Sequence, residues 1–221
     1  MAGQETDDFY KDAVNYWSNI PDTIDGMLGG FARLSSSDVG QSMTFLKKII
    51  QGPGALTEPE VALDCGAGIG RVSKRLLLPV FNTVDLVEVN PKFLKTAETY
   101  LGELSSKVGN YFPVGLQSFT PESGRYNVIW NQWVLGHLTD KDLVEYFKRC
   151  KKGLKENGVI VAKENVSGGE DYDFDEVDSS YTRPKEALLK LFEEAGLKVI
   201  REEKQKHFPK DVYAVFMFAL Q

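Results

Sequence analysis

The segment Asp64–Gly70 combines an acidic side chain with three glycines at alternating positions. It follows a short apolar strand predicted over 61–64 and opens a predicted helix, and glycines at such a turn let the backbone approach a ligand closely. The GxGxG spacing differs from the GxGxxG of dinucleotide-binding turns. Asp64 would repel a pyrophosphate, but it could bind the cationic amino group of S-adenosylmethionine directly or through water. We therefore predict S-adenosylmethionine as the cofactor, held by Asp64, Gly66 and Gly68.

Five further residues are candidates for the same cofactor. Arg71 could bind the methionine carboxylate, since arginine favours bidentate carboxylate contacts; the alternative is a solvated residue in the first turn of a helix. Glu88 ends the second predicted strand, where an acid accepts hydrogen bonds from ribose hydroxyls; the alternative is a surface acid. Leu116 and Gln117 follow the third strand, where the adenine is expected, and Gln132 is expected to border the cofactor.

Strands and helices alternate from residue 61 onward. The predicted strands are 61–64, 83–89, 111–114, 126–133, 158–163, 197–202 and 212–220, and the predicted helices are 70–80, 92–101, 139–153 and 184–195. Such alternation is typical of a parallel sheet with helices on both faces. The last two strands have no helix between them and should pair antiparallel. The sequence thus predicts an α/β fold: a seven-stranded, Rossmann-like class I methyltransferase sheet with a terminal antiparallel hairpin.

The N-terminal residues carry helical patterns only. Apolar residues at helical spacing predict a helix over 7–18. A second helix is predicted over 38–51, with Asp38 as its N-cap, and Gly52-Pro53-Gly54 breaks the chain after it.

Length and charge limit the possible classes of protein. A chain of 221 residues fits one domain, which we divide into an N-terminal helical extension on the substrate side (1–55) and a cofactor-binding core (56–221). A net charge of −6 disfavours nucleic acid as the partner and suits a cationic one better. Two cysteines form no disulfide framework. Without a signal peptide or an apolar stretch of membrane-spanning length, we expect an intracellular protein that does not enter a membrane.

Several motifs extend beyond the glycine turn. The sequence resembles the protein α-N-terminal methyltransferase family in the motifs YW (16–17), IP (20–21), DGMLGG (25–30), ALDCGAGIGR (62–71), KRLLLP (74–79), QWVLGHLTD (132–140), VDSS (177–180) and FAL (218–220). The resemblance implies methylation of the exposed α-amine of proteins that have lost their initiator Met. It implies Ala, Ser or Pro first, Pro second and Lys or Arg third. It also implies location in the nucleus and cytoplasm.

The resemblance assigns catalytic roles to three residues. His137 and Asp178 are the candidate bases, and the sequence does not decide between them, while Asn165 would orient the amine. Histidine titrates near neutral pH, and a weak base suffices because an α-amine has a pKa of about 7.7–8.0. The alternative for His137 is a capping or packing role.

The substrate-binding candidates fall into two groups. Asp175, Asp178 and Ser180 would form an anionic pocket for Lys or Arg; the alternative is a solvated, mobile acidic loop over 170–178. The residues expected to contact the peptide's proline and backbone are Trp17, Leu28, Gly29, Trp133 and Tyr213; the alternative for either tryptophan is an ordinary core position.

Two departures from the family pattern and three alternatives remain at this point. Glu88 stands where Asp is expected, and the acidic loop has an extra residue and the added charge of Glu176. The alternatives are a small-molecule methyltransferase, a non-catalytic adaptor on the same fold, and a nicotinamide oxidoreductase. The glycine spacing argues against the last of these. We predict no metal site, and the number of methyl groups and the oligomeric state stay open.

Overall fold

The computed structural model describes residues 2–52 and 54–221, and it describes side chains from residue 8 onward. Pro53, the middle residue of the predicted chain break, lies outside the described residues.

A seven-stranded mixed sheet forms the centre of the molecule. Its strands are β1 (Val61–Cys65), β2 (Thr83–Val87), β3 (Val108–Phe112), β4 (Tyr126–Gln132), β5 (Leu154–Val166), β8 (Val199–Lys204) and β9 (Ala214–Leu220). They lie in the order β3-β2-β1-β4-β5-β9-β8. The first five are parallel, and β9 pairs antiparallel with both β5 and β8. The predicted sheet and its terminal antiparallel hairpin are confirmed.

Helices cover both faces of this sheet. They are α1 (Ala2–Asn19), α2 (Ile24–Met27), α3 (Ser35–Ile50), α4 (Pro91–Tyr100), α5 (Asp140–Gly153) and α6 (Lys185–Glu194). Local sequence explains two of the starts. Asn90 accepts a hydrogen bond from Lys92 N ahead of Pro91, and Thr139 accepts one from Asp142 N.

The core has two layers, one on each face of the sheet. On one face α5 and α6 bury Phe147 and Phe192 against Phe218. On the other, α3 buries Phe45 and Leu46. The second half of the N-terminal extension is thus packed into the core.

Several predicted bounds differ from the structure. The first helix begins at Ala2 rather than at residue 7, the third strand covers 108–112 rather than 111–114, and β5 is longer than predicted. Instead of a regular helix over 70–80, a π-helical turn forms over Ser73–Leu77, in which Leu78 N donates to Ser73 O at 2.8 Å. Such turns often lie at functional sites.

Asp38 is not an N-cap, and that prediction is wrong. The helix begins at Ser35, which places Asp38 in its first turn with a fully buried side chain. Its carboxylate accepts hydrogen bonds from the side chains of Arg71 and Lys163 instead of from the helix backbone.

Part of the acidic loop forms a short hairpin. Strands β6 (Asp173–Asp175) and β7 (Ser180–Thr182) pair antiparallel, and Phe174 packs on Tyr181 with ring centroids 4.8 Å apart. Residues 170–177 are all exposed, so the alternative of a solvated, mobile loop stays open, although aromatic packing holds Phe174 against Tyr181.

Candidate active site

The glycine turn after β1 is compressed between two neighbouring segments. Gly66, Gly68 and Gly70 have φ values of 68°, 54° and 81°, a left-handed region that favours glycine. A Cβ on Gly66 would lie 2.5 Å from Val134, and one on Gly68 would lie 2.6 Å from the sulfur of Met27. The turn therefore requires glycine for its conformation, and at Gly66 also for its space.

A cavity opens beside this turn, at the carboxyl ends of β1, β2 and β4. Seven of the eight predicted cofactor residues line it: Gly66, Gly68, Arg71, Glu88, Leu116, Gln117 and Gln132. Tyr10, Ala13, Val14 and Trp17 from α1 close it on another side, a role that the amphipathic pattern of that helix did not reveal. We call this space the cofactor cavity.

Glu88 has the surroundings expected of a ribose-binding carboxylate. Its two oxygens accept hydrogen bonds at 2.9 Å from Gly68 N and Asn90 N, which fixes the carboxylate at the cavity wall. Burial raises the pKa of Glu88, and at 9% exposure it is not the surface acid of the alternative. Each oxygen keeps acceptor capacity for a hydroxyl group, so the residue fits a ribose diol.

Asp64 lies behind the turn rather than in the cavity wall. It is 2% exposed, and its Oδ2 accepts a hydrogen bond from Ser73 Oγ at 2.6 Å. Burial raises its pKa to about 6, although the positive charge of Arg71 opposes the rise. Its contact with the cofactor's amino group stays a prediction, while its bond to Ser73 ties β1 to the π-helical turn.

A second cavity lies on the other side of Trp17, Trp133 and His137, which line both spaces. Five other residues assigned to substrate binding or catalysis line it: Leu28, Asn165, Asp178, Ser180 and Tyr213. We call it the substrate groove. Met27 also lines both spaces, which meet at these four side chains. A group held there would face the cofactor cavity.

His137 has both ring nitrogens engaged. Trp17 Nε1 donates to Nε2 at 3.0 Å, so the other nitrogen, Nδ1, carries the hydrogen and faces Ser179 O at 3.2 Å. Burial lowers the pKa of His137, against the opposing effect of the negative charge of Asp178. A neutral imidazole with no free lone pair is therefore the resting state.

Asp178 differs from His137 in its hydrogen bonding. Its Oδ1 is buried and has no hydrogen-bond partner within the described part of the chain. A buried acceptor without a partner is uncommon and costs free energy, and this one belongs to a residue that lines the groove. It is available to an N–H donor of a ligand.

The segment that carries Trp133 and His137 is held by an acid that the sequence analysis missed. Oε1 of Glu164 accepts hydrogen bonds from Val134 N at 2.9 Å and from Leu135 N at 2.8 Å. Burial raises the pKa of Glu164 to about 7. Trp133 itself has a φ of 53°, rare for a bulky residue. The only sequence signal for Glu164 was its place beside Asn165, at the end of a predicted strand.

Two predicted substrate residues do not line the groove. Gly29 is exposed with a φ of 54°. Asp175 is exposed on β6, and its Oδ1 accepts a hydrogen bond from Val177 N at 2.8 Å. Its negative charge still acts nearby: the pKa of Tyr16 is raised by burial, then by the charges of Asp178 and Asp175.

Neither a membrane span nor a metal cluster was found in the part of the chain that the structure describes. None of its helices is long and apolar enough to cross a membrane. It holds no group of three or more His, Cys, Asp or Glu side chains suited to a metal ion.

The fold and the cofactor cavity together define an S-adenosylmethionine-dependent methyltransferase. The model of the family described as AdoMet-dependent proline di-methyltransferases matches residues 5–221. The N-terminal Xaa-Pro-Lys N-methyltransferase 1-B of Xenopus laevis is 50% identical over 213 residues, which are 96% of this chain and 95% of that protein. The corresponding enzymes of Danio rerio and Homo sapiens are 52% and 48% identical with the same coverage. The chain belongs to this family.

Solved structures agree with the assignment. A SAM-dependent methyltransferase from Leishmania major has a TM-score of 0.90 and 35% identity, covering 96% of this chain and 83% of that one. A phosphoethanolamine N-methyltransferase from Haemonchus contortus, solved with S-adenosylhomocysteine, has a TM-score of 0.77 and 14% identity, covering 100% of this chain and 50% of that one. The second likeness concerns the fold alone. The alternative of a nicotinamide oxidoreductase is wrong.

Proposed function

We propose that this protein methylates the α-amino group of protein N-termini that begin with Ala, Ser or Pro, followed by Pro and then Lys or Arg, after loss of the initiator Met. The observation that carries the proposal is the junction of the cofactor cavity and the substrate groove at Trp17, Trp133 and His137. From there the groove reaches Phe208 and Lys210 on the segment before β9. Such a groove suits the end of a chain, and the names of the Xaa-Pro-Lys relatives support the same substrate.

An α-ammonium group must lose a proton before it can react. S-adenosylmethionine supplies a methyl group on a sulfonium, which an amine takes by in-line displacement. Asp178 accepts the proton in this proposal, because its Oδ1 is buried and has no partner among the described residues, while both nitrogens of His137 are engaged. His137 acts as a positioning residue, since it contacts the carbonyl of Ser179, the residue next to Asp178.

The first two substrate residues fit the walls of the junction. Trp17 and Trp133 offer flat apolar faces to a proline ring. The buried indole N–H of Trp133, which has no partner among the described residues, is free to donate to a peptide carbonyl. Asn165 lines the groove at the end of β5 and can accept a hydrogen bond from the amine.

Negative charge beside the groove favours a cationic third residue. Asp173 and Asp175 lie on the exposed strand β6, and Tyr213, which lines the groove, donates a hydrogen bond to Asp173 at 3.2 Å. Opposite charges attract and also select against anionic residues. The hairpin thus supplies the preference for Lys or Arg.

The family's description as proline di-methyltransferases supports more than one transfer to each amine. We propose at least two for a substrate that begins with Pro. Location in the nucleus and cytoplasm stays a prediction.

The test is to incubate the protein with S-adenosylmethionine and a peptide that begins Ser-Pro-Lys, and to measure the peptide's mass. A twin peptide with an acetylated α-amine is the control. We expect mass increases in steps of one methyl group for the free peptide alone. Equal methylation of both peptides would contradict the proposal. No methylation of either, with S-adenosylhomocysteine binding intact, would favour a small-molecule substrate or an adaptor role.

A further inference from the structure

A buried cluster of charges lies next to the cofactor cavity and is centred on Asp38. This carboxylate, carried by α3, accepts a hydrogen bond from Arg71 Nη1 at 2.7 Å. It also accepts from Gln132 Nε2 at 2.8 and 2.9 Å, and from the ammonium of Lys163. Arg71 and Gln132 line the cofactor cavity. One acid from the N-terminal extension therefore holds two side chains of the cavity wall.

The other hydrogen bonds of the Lys163 ammonium also go to groups inside the protein. It is fully buried, and its Nζ donates to Ser42 Oγ at 2.9 Å and to Gln205 Oε1 at 2.8 Å. Because those partners come from α3 and from the chain after β8, the lysine fixes the far side of the Asp38 carboxylate. Moving a buried charge away from a full set of hydrogen-bond partners costs a large free energy.

Asp38 has more than one positively charged partner. Two cations, Arg71 and Lys163, share the single carboxylate of Asp38. Both also face the ring of Trp133, with centroid distances of 5.7 Å and 5.9 Å. Because one carboxylate serves two cations, the part of Arg71 that reaches the cofactor cavity can still pair with an anion brought in by a ligand.

Gln132 is oriented from both ends of its amide group. Its Oε1 accepts a hydrogen bond from Trp130 Nε1 at 3.1 Å, while its Nε2 donates to Asp38. The amide is thereby fixed in one of its two orientations. Arg71 likewise uses only part of its donor set on Asp38, and the remaining donors suit a carboxylate.

We propose that Asp38 is a positioning residue that sets Arg71 and Gln132 for the carboxylate of the cofactor's methionine moiety. The N-terminal extension thus determines cofactor affinity through a residue that does not line the cavity. Binding of the adenosine part, for which Glu88 and Leu116 in the cavity wall are the predicted contacts, does not depend on it.

Two ligands separate this role from a merely structural one. S-adenosylhomocysteine carries the carboxylate, and 5′-methylthioadenosine lacks the whole amino-acid part. Calorimetry on the full chain with Asp38→Asn should show S-adenosylhomocysteine binding weakened about 10- to 100-fold, the range for one hydrogen bond to a charged group. Binding of 5′-methylthioadenosine should stay within about threefold. Equal losses for both ligands, or no loss for S-adenosylhomocysteine, would overturn the proposal.

Asp85→Asn is the matched control. Asp85 is also fully buried, and it pairs with Arg125 Nε and Tyr126 Oη at 2.9 Å, but it does not line the cavity. We expect this variant to lose stability, while the ratio of its affinity for S-adenosylhomocysteine to its affinity for 5′-methylthioadenosine stays unchanged. Should Asp38→Asn not fold, Asp38→Glu keeps the charge and shifts the carboxylate by one methylene. For Asp38→Glu the ratio of these two affinities must also fall. An unchanged ratio would again contradict the proposal.

Discussion

The indole nitrogen of Trp17 lies 3.0 Å from Nε2 of His137 and donates a hydrogen bond to it. The bond joins α1 to the segment after β4, at the boundary between the cofactor cavity and the substrate groove. It occupies the lone pair that a histidine base would use. The acceptor without a partner among the described residues is Oδ1 of Asp178, which lines the substrate groove.

The state of His137 can be measured directly. We expect nitrogen NMR to show the neutral ring with hydrogen on Nδ1 at pH 7, and a pKa below 6.5, since burial lowers it. Trp17→Phe removes a donor to the neutral ring and should raise that pKa. Tyr16→Phe, which keeps the Trp17 N–H, should leave it unchanged. A protonated ring at pH 7 in the unaltered protein would contradict this account.

Because Asp178 is proposed as the base and His137 as a positioning residue, substitutions at the two positions should lower kcat by unequal amounts. Asp178→Asn should lower kcat by about 10²–10⁴, the usual contribution of a general base. His137→Gln should cost less and preserve the shape of the kcat/KM pH profile. Asp171→Asn replaces an exposed acid near the same hairpin. This variant should behave as the unaltered enzyme. Loss of the acidic limb of the profile in His137→Gln alone would reverse the two roles.

Glu164 makes stability depend on pH. Its pKa is about 7 in the fold against 4.5 unperturbed, mainly because of burial. A raised pKa means that the fold binds the proton more tightly than the unfolded chain does. The associated stability is present below pH 4.5 and is lost as the pH rises through 7, by up to about 3 kcal/mol. Asp64, with a pKa of about 6, acts with the same sign.

Urea unfolding of Glu164→Gln at pH 5, 6, 7 and 8 checks this expectation. The amide cannot ionise but still accepts a hydrogen bond, so the decline in the free energy of unfolding should be shallower than in the unaltered protein. Asp64 keeps part of the slope. Parallel curves for the two proteins would show that Glu164 does not titrate in this range.

Gly66→Ala tests the tightness of the glycine turn. The new Cβ would lie 2.5 Å from the side chain of Val134 at a φ of 68°, so we expect a loss of about 1–3 kcal/mol of stability from overpacking. Displacement of Val134 should also weaken S-adenosylhomocysteine binding. Gly124→Ala is the control, because it has a similar φ of 65° with open space around it. Equal effects of both substitutions would assign the cost to the backbone alone.

Asp175 should act on the third substrate residue through charge. Asp175→Asn should raise KM for a Ser-Pro-Lys peptide about two- to fivefold, as for an exposed ion pair of up to about 1 kcal/mol. A Ser-Pro-Gln peptide should respond little, and Asp171→Asn provides the charge-matched control. Equal increases for both peptides would mean that Asp175 acts on the shape of the hairpin.

The parts of the site that could be predicted from sequence depend on local pattern. A strand followed by glycines, and an acid at the end of the next strand, place Gly66 and Glu88 at one sheet edge, because parallel strands end together. Asp38 was misread because its partners Arg71 and Lys163 lie 33 and 125 residues away. The β6–β7 hairpin has strands of three residues, too short for a period-2 pattern to emerge.

The central claim is that the reacting atom is the α-nitrogen of a chain end. It is tested most directly by tandem mass spectrometry of the product from a Ser-Pro-Lys peptide, which offers both an α-amine and a lysine ε-amine to the same enzyme. We expect every added methyl group on the fragment that contains the N-terminal nitrogen. Methyl groups on the lysine side chain would contradict the account.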